Sequence, residues 1–211
     1  MIRRFAVVAV FAVVGIAQAV GAPGFAQEAD PVCASALWLA PLATPTTDDA
    51  GPAEIAEPAP AWMKTALIDA CSGATFALTD FAGKTLYIEP MATWCTNCRQ
   101  QLTRAAEAFA QLPEAERADI VLVALSSETA LPREDLAAYA ADTGFPFVFA
   151  VMPAEMLQSM AEDLGQEIAV PPATPHLIVA PDGTVGDLRI GGAAVDDLLA
   201  LFVAAGDAAA S

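Results

Sequence analysis

The chain has 211 residues, with 26 aspartates and glutamates against 9 lysines and arginines and one histidine, a formal net charge of −17. So acidic a surface excludes a nucleic-acid binder, disfavours anionic lipid headgroups and leaves neutral or basic proteins as partners. The acids are scattered rather than grouped, which is the pattern of a solvated surface and points to no substrate.

Arg3 and Arg4 precede an uncharged, mostly apolar run from Phe5 to Val20, and Gly21-Ala22-Pro23-Gly24-Phe25-Ala26 follows. A charged start, an apolar middle and a small-residue exit predict a secretory signal over 1–26, with cleavage after Ala26 or Ala19. The rival is an uncleaved membrane anchor; the sixteen residues of the run fall short of the roughly 20 a spanning helix uses. Lipid attachment at Cys33 is not expected, because Asp30-Pro31-Val32 stands where small and aliphatic residues would be needed. Either way the bulk of the chain is expected outside the cytosol, in a bacterial periplasm. Loss of 1–26 removes two arginines and no acid, moving the charge to about −19 and leaving about 185 residues for one sizeable core.

Residues 27–61 read as an N-terminal segment and a linker. Val32 to Leu42 is short and apolar, and Pro41 to Pro60 repeats Pro, Ala, Thr, Asp and Glu with almost no large apolar side chain. The folded domain is expected over 62–206, with 207–211 a tail. Ala66–Ala70 and Thr75–Leu78 flank the turn Cys71-Ser72-Gly73 and predict a hairpin. Leu86–Met91 has the composition of a buried strand, although Pro90 inside it implies a bulge or a strand end. A helix follows to about Ala110, stopped by Pro113. Ile120–Leu125 and Phe145–Val151 predict strands, Arg133–Ala141 and Ala154–Leu164 helices. His176–Ala180 and Val185–Ile190 about Pro181-Asp182-Gly183 predict a last hairpin, and Val195–Ala204 a closing helix. Strands alternating with helices, then an antiparallel hairpin, imply an α/β fold: a mixed central sheet with helices on both faces.

The segment that narrows the chemistry most is Trp94-Cys95-Thr96-Asn97-Cys98, two thiols three positions apart where a strand hands over to a helix. A cysteine at a helix start sits among unpaired N–H groups and the positive end of the helix dipole, which favours the thiolate, the nucleophilic form. The second cysteine lies about one turn further in and can attack a mixed disulfide formed by the first.

These residues resemble the thioredoxin superfamily, and within it the extracytoplasmic TlpA/ResA-type thiol–disulfide oxidoreductases and related cytochrome c maturation proteins. The likeness covers about residues 64–204. It is carried by Phe76-Ala77-Leu78-Thr79-Asp80-Phe81-Ala82-Gly83-Lys84, by Ala92-Thr93-Trp94-Cys95-Thr96-Asn97-Cys98-Arg99 and by Ala173-Thr174-Pro175-His176-Leu177-Ile178-Val179-Ala180-Pro181-Asp182-Gly183. The resemblance implies a thioredoxin-like fold with a redox-active disulfide between Cys95 and Cys98. Cys95 would be the exposed attacking thiol, Cys98 the buried resolver. Pro175 matches a cis-proline position facing the pair, with an ordinary trans proline as the alternative; a cis bond there would leave the backbone of Thr174 free to pair with an extended substrate. Glu89 stands where thioredoxins carry a buried acid and would exchange a proton with Cys98, unless it is a solvent-facing strand residue. Trp94 flanks the site. Thr96-Asn97 departs from the family's usual proline-containing pair, which leaves the redox potential open.

Cys33 and Cys71 remain. In an oxidising compartment an even leftover pair suggests a structural disulfide, with two free thiols or an intermolecular link through Cys33 as alternatives. The implied partners are proteins bearing disulfides or thiols and a membrane electron donor; no cofactor is implied, and reductase or oxidase direction stays open. The alternative from another class is a Cu(I)-binding metallochaperone with Cys95, Cys98 and His176 as ligands, since soft thiolates and imidazole suit Cu(I). A peroxidase is excluded by spacing, because Thr93 stands only two residues before Cys95.

Overall fold

The computed structural model describes residues 33–38 and 59–209. The expected leader over 1–26 and most of the expected linker lie outside them. No helix among the described residues is long and apolar enough to cross a membrane.

The domain opens with a small antiparallel pair, β1 (Leu67–Ile68) and β2 (Thr75–Phe76). Asp69 closes the turn between them: its carboxylate accepts from the backbone N–H and the hydroxyl of Ser72 at 2.7 and 2.6 Å, the local competition for backbone donors that makes aspartate a turn residue. Then come β3 (Thr85–Met91), α1 (Thr96–Gln111), α2 (Glu114–Arg117), β4 (Ile120–Ser126), α3 (Arg133–Thr143), β5 (Val148–Val151), α4 (Ala154–Leu164), β6 (Leu177–Val179) and α5 (Val195–Ala209). Helices α2, α3 and α4 each begin directly after a proline, at Pro113, Pro132 and Pro153, where the fixed φ suits a helix entrance and the missing N–H costs no helical bond. The closing helix continues to Ala209, so the expected tail over 207–211 is helical through most of its length.

The main sheet has the order β5-β4-β3-β6. β3 pairs with β4 and β4 with β5 in parallel, and β6 joins antiparallel to β3. Strands β3 and β4 are buried along their whole length, which is why both read as nearly unbroken apolar runs. Side chains alternate between two cores. Leu86, Ile88, Val121, Val123 and Val148 face one that includes Met156 and Met160 of α4. Tyr87, Met91, Leu122, Ala124 and Phe149 face the other, built with α1, α3 and α5. This is the mixed sheet with helices on both faces of a thioredoxin-like fold.

Pro90 makes no bulge. It keeps register opposite Leu125 of β4, while β6 pairs only with Leu86–Ile88, so the proline has a sheet neighbour on one side only and no ladder is interrupted there. The expected second strand of the last hairpin is reduced to isolated pairings, Val179 with Val185 and His176 with Arg189. Gly183 supplies the left-handed turn residue at φ 86°. At Gly186 a β-carbon would stand 3.0 Å from the Ile178 carbonyl oxygen, an approach that only glycine makes comfortable.

Cys33 and Cys71 form a disulfide across a sequence separation of 38 residues. It holds the N-terminal segment to the first hairpin, with Ala36 and Leu37 buried in the same cluster as Trp62 and Met63. Replacing both cysteines by serine is expected to cost about 4 kcal/mol by the chain-entropy relation for a loop of this length. Denaturant unfolding of the oxidised protein reads this out; an unchanged midpoint would show that the bond contributes nothing.

Candidate active site

The site is built where β3 ends. The Met91 carbonyl takes the backbone N–H of Ser127 at 2.8 Å and its hydroxyl at 3.2 Å, which extends the β3–β4 pairing by one residue. The chain then turns, the Ala92 carbonyl accepting from the Cys95 N–H at 3.0 Å. Cys95 is the N-cap of α1, with extended backbone at φ −83° and ψ 106°, and its sulfur accepts from the Cys98 N–H at 3.1 Å. A sulfur in this place is stabilised as thiolate by the same N–H groups and dipole that an Asp or Ser cap would use.

Cys95 and Cys98 are joined in a disulfide. Cys98 has no exposed surface and Cys95 only 3%, which corrects the expectation of an exposed first thiol. In the closed pair the Cys95 sulfur is held inward by its bond to Cys98 and by the N–H it caps. Trp94 beside it is 64% exposed and presents an apolar surface next to the pair. A residue not singled out in the sequence holds this turn: Glu128, just past β4, accepts from the Thr93 N–H at 2.6 Å and the Thr93 hydroxyl at 2.8 Å. The one signal for it was an acid immediately after a buried strand, at the end where α/β sheets place their sites.

Pro171–Ala173 forms a single 3₁₀ turn against the pair. The Pro171 carbonyl oxygen lies 3.1 Å from the Cys98 sulfur, and the Asn97 side-chain amide donates to the Pro172 carbonyl at 3.0 Å. Thr174 follows at φ 49°, a left-handed conformation that a β-branched residue adopts only when its surroundings impose it. Two hydrogen bonds do so: its N–H donates to the Pro171 carbonyl at 2.8 Å, and its carbonyl meets His176 Nδ1 at 3.1 Å. The Thr174 backbone is therefore not free for a substrate strand, contrary to the sequence expectation. Pro175 is buried next to it.

Glu89 is fully buried, so the solvent-facing alternative is excluded. Strand alternation puts it on the face of β3 that α1 covers, with Tyr87 two residues before it. The Tyr87 hydroxyl donates to Glu89 Oε2 at 2.9 Å, and the Gln101 amide of α1 donates to the same tyrosine oxygen at 3.3 Å. Gln101 Oε1 in turn accepts from the Ala193 N–H at 3.0 Å. Glu89 Oε1 has no partner among the described residues. Burial pushes the Glu89 carboxyl well above the usual carboxylate range, against the opposing pull of the Tyr87 hydrogen bond. Burial, then the Glu89 charge, push the Tyr87 phenol up as well. Tyr87 and Gln101 were legible in principle, one by period two on a strand and the other by one helical turn after Cys98.

His176 is buried, and burial lowers its proton affinity while the Thr174 carbonyl works the other way. A carbonyl partner at Nδ1 requires that nitrogen to carry the proton. The ring lies 5.8 Å from that of Tyr87 and lines a cavity of about 490 Å³ with Arg189, Gly192 and Leu198. Among the described residues no three His, Cys, Asp or Glu side chains gather as a metal set. In the closed disulfide the sulfurs of Cys95 and Cys98 are bonded to each other, so the thiolates that the Cu(I) alternative would use with His176 belong to the reduced protein.

Comparisons with known proteins bear on this geometry. No curated protein sequence matches the chain. Among solved structures, a thiol:disulfide interchange protein of the thioredoxin family from Chlorobium tepidum superposes with a TM-score of 0.55 at 18% identity, over 75% of this chain and 99% of that one. A secreted Mycobacterium tuberculosis disulfide oxidoreductase homologous to E. coli DsbE gives 0.52 at 14%, over 68% and 97%. Arabidopsis thaliana ScoI with copper bound gives 0.53 at 16%, over 66% and 94%. At such identities the likeness is one of fold. The family model described as Redoxin matches residues 54–187, which span β1 through the turn after β6 and contain both cysteines of the pair, Glu89 and the Thr174-Pro175 turn. By that match the chain belongs to the Redoxin family.

Proposed function

We propose that this protein is an extracytoplasmic thiol–disulfide oxidoreductase that reduces protein disulfides through Cys95 and Cys98. The observation that carries the reading is the closed Cys95–Cys98 disulfide at the entrance of α1, with the first sulfur capping the helix. In the reduced protein the Cys95 thiolate attacks one sulfur of a substrate disulfide, forming a mixed disulfide and releasing the other substrate sulfur as a thiol. Cys98 then loses its proton and attacks the Cys95 sulfur. The internal disulfide forms, and the remaining substrate thiol leaves carrying the second of the two electrons transferred. Glu89, whose burial raises its proton affinity and whose Oε2 is held by Tyr87, takes the Cys98 proton when it is in the carboxylate form and gives it up again afterwards. Exposed Trp94 supplies the apolar surface that faces a substrate beside the pair, with the buried Thr174-Pro175 turn packed behind it.

The leader-like start and two disulfides in one chain support a compartment where disulfides persist, the bacterial periplasm, with the N-terminus either cleaved or kept as an anchor. That compartment is oxidising, so a reductase there draws electrons from a dedicated membrane donor. Thiols met in cytochrome c maturation, or misoxidised periplasmic proteins, are the substrates that fit.

Cys98→Ser is expected to accumulate mixed disulfides at Cys95 that non-reducing gels and mass spectrometry identify; failure to trap any partner would overturn the oxidoreductase reading. Glu89→Gln is expected to slow resolution by about 10²-fold, the lower end of general acid–base contributions, and to leave the initial attack nearly unchanged. Stopped-flow kinetics separates the two steps, and equal slowing of both would remove Glu89 from proton transfer. The same variant tests burial of the acid. A folded carboxyl of raised proton affinity keeps a proton that the unfolded chain has shed. The stability it contributes is intact below the ordinary carboxylate range near pH 4 and drains away as pH rises through the folded value. Glu89→Gln should therefore gain stability relative to wild type as pH rises from about 4, measured by unfolding at several pH values. A pH-independent difference would mean that the carboxyl is not buried neutral.

A further inference from the structure

The residue pair between the two cysteines, Thr96-Asn97, departs from the proline-containing pair expected there, and the structure gives its second member a contact across the site. Asn97 stands in the first turn of α1, and its amide reaches the Pro172 carbonyl at 3.0 Å. The turn it holds is rigid on its own account. The Ala173 N–H donates to Val170, the Thr174 N–H to Pro171, the Gly191 N–H to Ala173, and His176 meets the Thr174 carbonyl. Pro171 and Pro172 have no N–H, so the polar groups this turn offers at those two positions are carbonyls. One faces Asn97. The other, of Pro171, faces the Cys98 sulfur at 3.1 Å.

We infer that Asn97 is a positioning residue that biases the redox equilibrium of the pair toward the dithiol, by tying the Pro171–Ala173 turn to α1 so that the Pro171 carbonyl meets the resolving sulfur. In the disulfide the Cys98 sulfur has no proton, and the carbonyl gains no hydrogen bond from it. On reduction the sulfur becomes a thiol within reach of an acceptor already in place, and an S–H to carbonyl hydrogen bond exists in the dithiol alone. A contact made in one redox state shifts the equilibrium toward that state by its own free energy. It also keeps the proton on Cys98 until resolution, leaving Cys95 as the attacking thiolate. The unusual inter-cysteine residue then tunes the potential through the proline turn rather than through the helix start alone.

This inference rests on the oxidoreductase reading, and the experiment separates the two. The full-length chain, with Cys33–Cys71 intact, is equilibrated with glutathione. One Cys95–Cys98 disulfide and two glutathiones give the dithiol and one oxidised glutathione, with two electrons and two protons entering the pair. Asn97→Ala and Asn97→Leu, which lack the donor, are expected to lower the equilibrium constant for forming the dithiol about fivefold, which is about 20 mV at 29.6 mV per tenfold change for a two-electron couple. Asn97→Gln, which keeps an amide donor, is expected to stay within about twofold of wild type. Thermal unfolding of each variant confirms the fold, and a general loss of stability does not by itself move the glutathione constant. Constants for Asn97→Ala and Asn97→Leu within twofold of wild type, or an Asn97→Gln constant as low as theirs, would overturn the inference and leave the oxidoreductase reading standing. A wild-type pair that does not exchange with glutathione would overturn the reading and the inference together.

Discussion

The parallel pairing of β3 with β4, in unbroken register from Thr85 opposite Ile120 to Met91 opposite Ser126, carries the rest of the site. It brings two strand ends to the same edge of the sheet, and each end then contributes one part. From β3 comes the Ala92–Cys95 turn and the helix it caps; from β4 come Ser127, which takes the last β3 carbonyl, and Glu128, which grips Thr93. The cysteine loop is therefore suspended from two adjacent strands at their carboxyl ends, the edge where open α/β sheets place their chemistry. A slip of one residue in this register would turn Tyr87, Glu89 and Met91 to the opposite face and dismantle the site.

Burying the Glu89 carboxyl in the middle of that register departs from an apolar core. A lone acid in the Glu89 environment is destabilising unless it stays protonated or is hydrogen-bonded. Here it has one firm partner, Tyr87, which is itself held by Gln101, and Gln101 is anchored to the Ala193 backbone near the start of α5. The chain of contacts links β3, α1 and the segment before α5 through one polar thread. Such a network is costly to build for packing alone, and Glu89 Oε1, without a partner among the described residues, is the kind of buried polar group that functional sites retain.

The proline turn shows a second use of local constraint. The Pro171 carbonyl accepts from the Thr174 N–H and also lies 3.1 Å from the Cys98 sulfur, and the left-handed Thr174 is held from both sides. Rigid carbonyls facing a reactive sulfur are cheap electrostatic positioning: dipoles fixed by the backbone need not reorganise when the sulfur changes state. The same locking uses up the hydrogen-bonding capacity of Thr174 that an extended substrate would otherwise meet, which leaves side-chain surface such as Trp94 to carry recognition.

Sequence patterning by itself determined the order and type of nearly all elements, because each depends on local periodicity and punctuation. The apolar runs at 86–91 and 120–125 read as buried strands, Pro113 ends the helix that follows the cysteines, and two cysteines one helical turn apart are able to meet. It also marked Glu89 as an acid in an apolar strand. What only the tertiary structure decided are matters of contact between distant segments: that Cys33 closes on Cys71, that Pro90 sits where β6 has already ended, that Cys95 is covered in its oxidised form, that Thr174 is already hydrogen-bonded, and that Glu128, Gln101 and Asn97 reach the site. These outcomes depend on which groups a sheet register and a helix crossing bring within about 3 Å of each other, a hydrogen-bond distance that no one-dimensional spacing encodes.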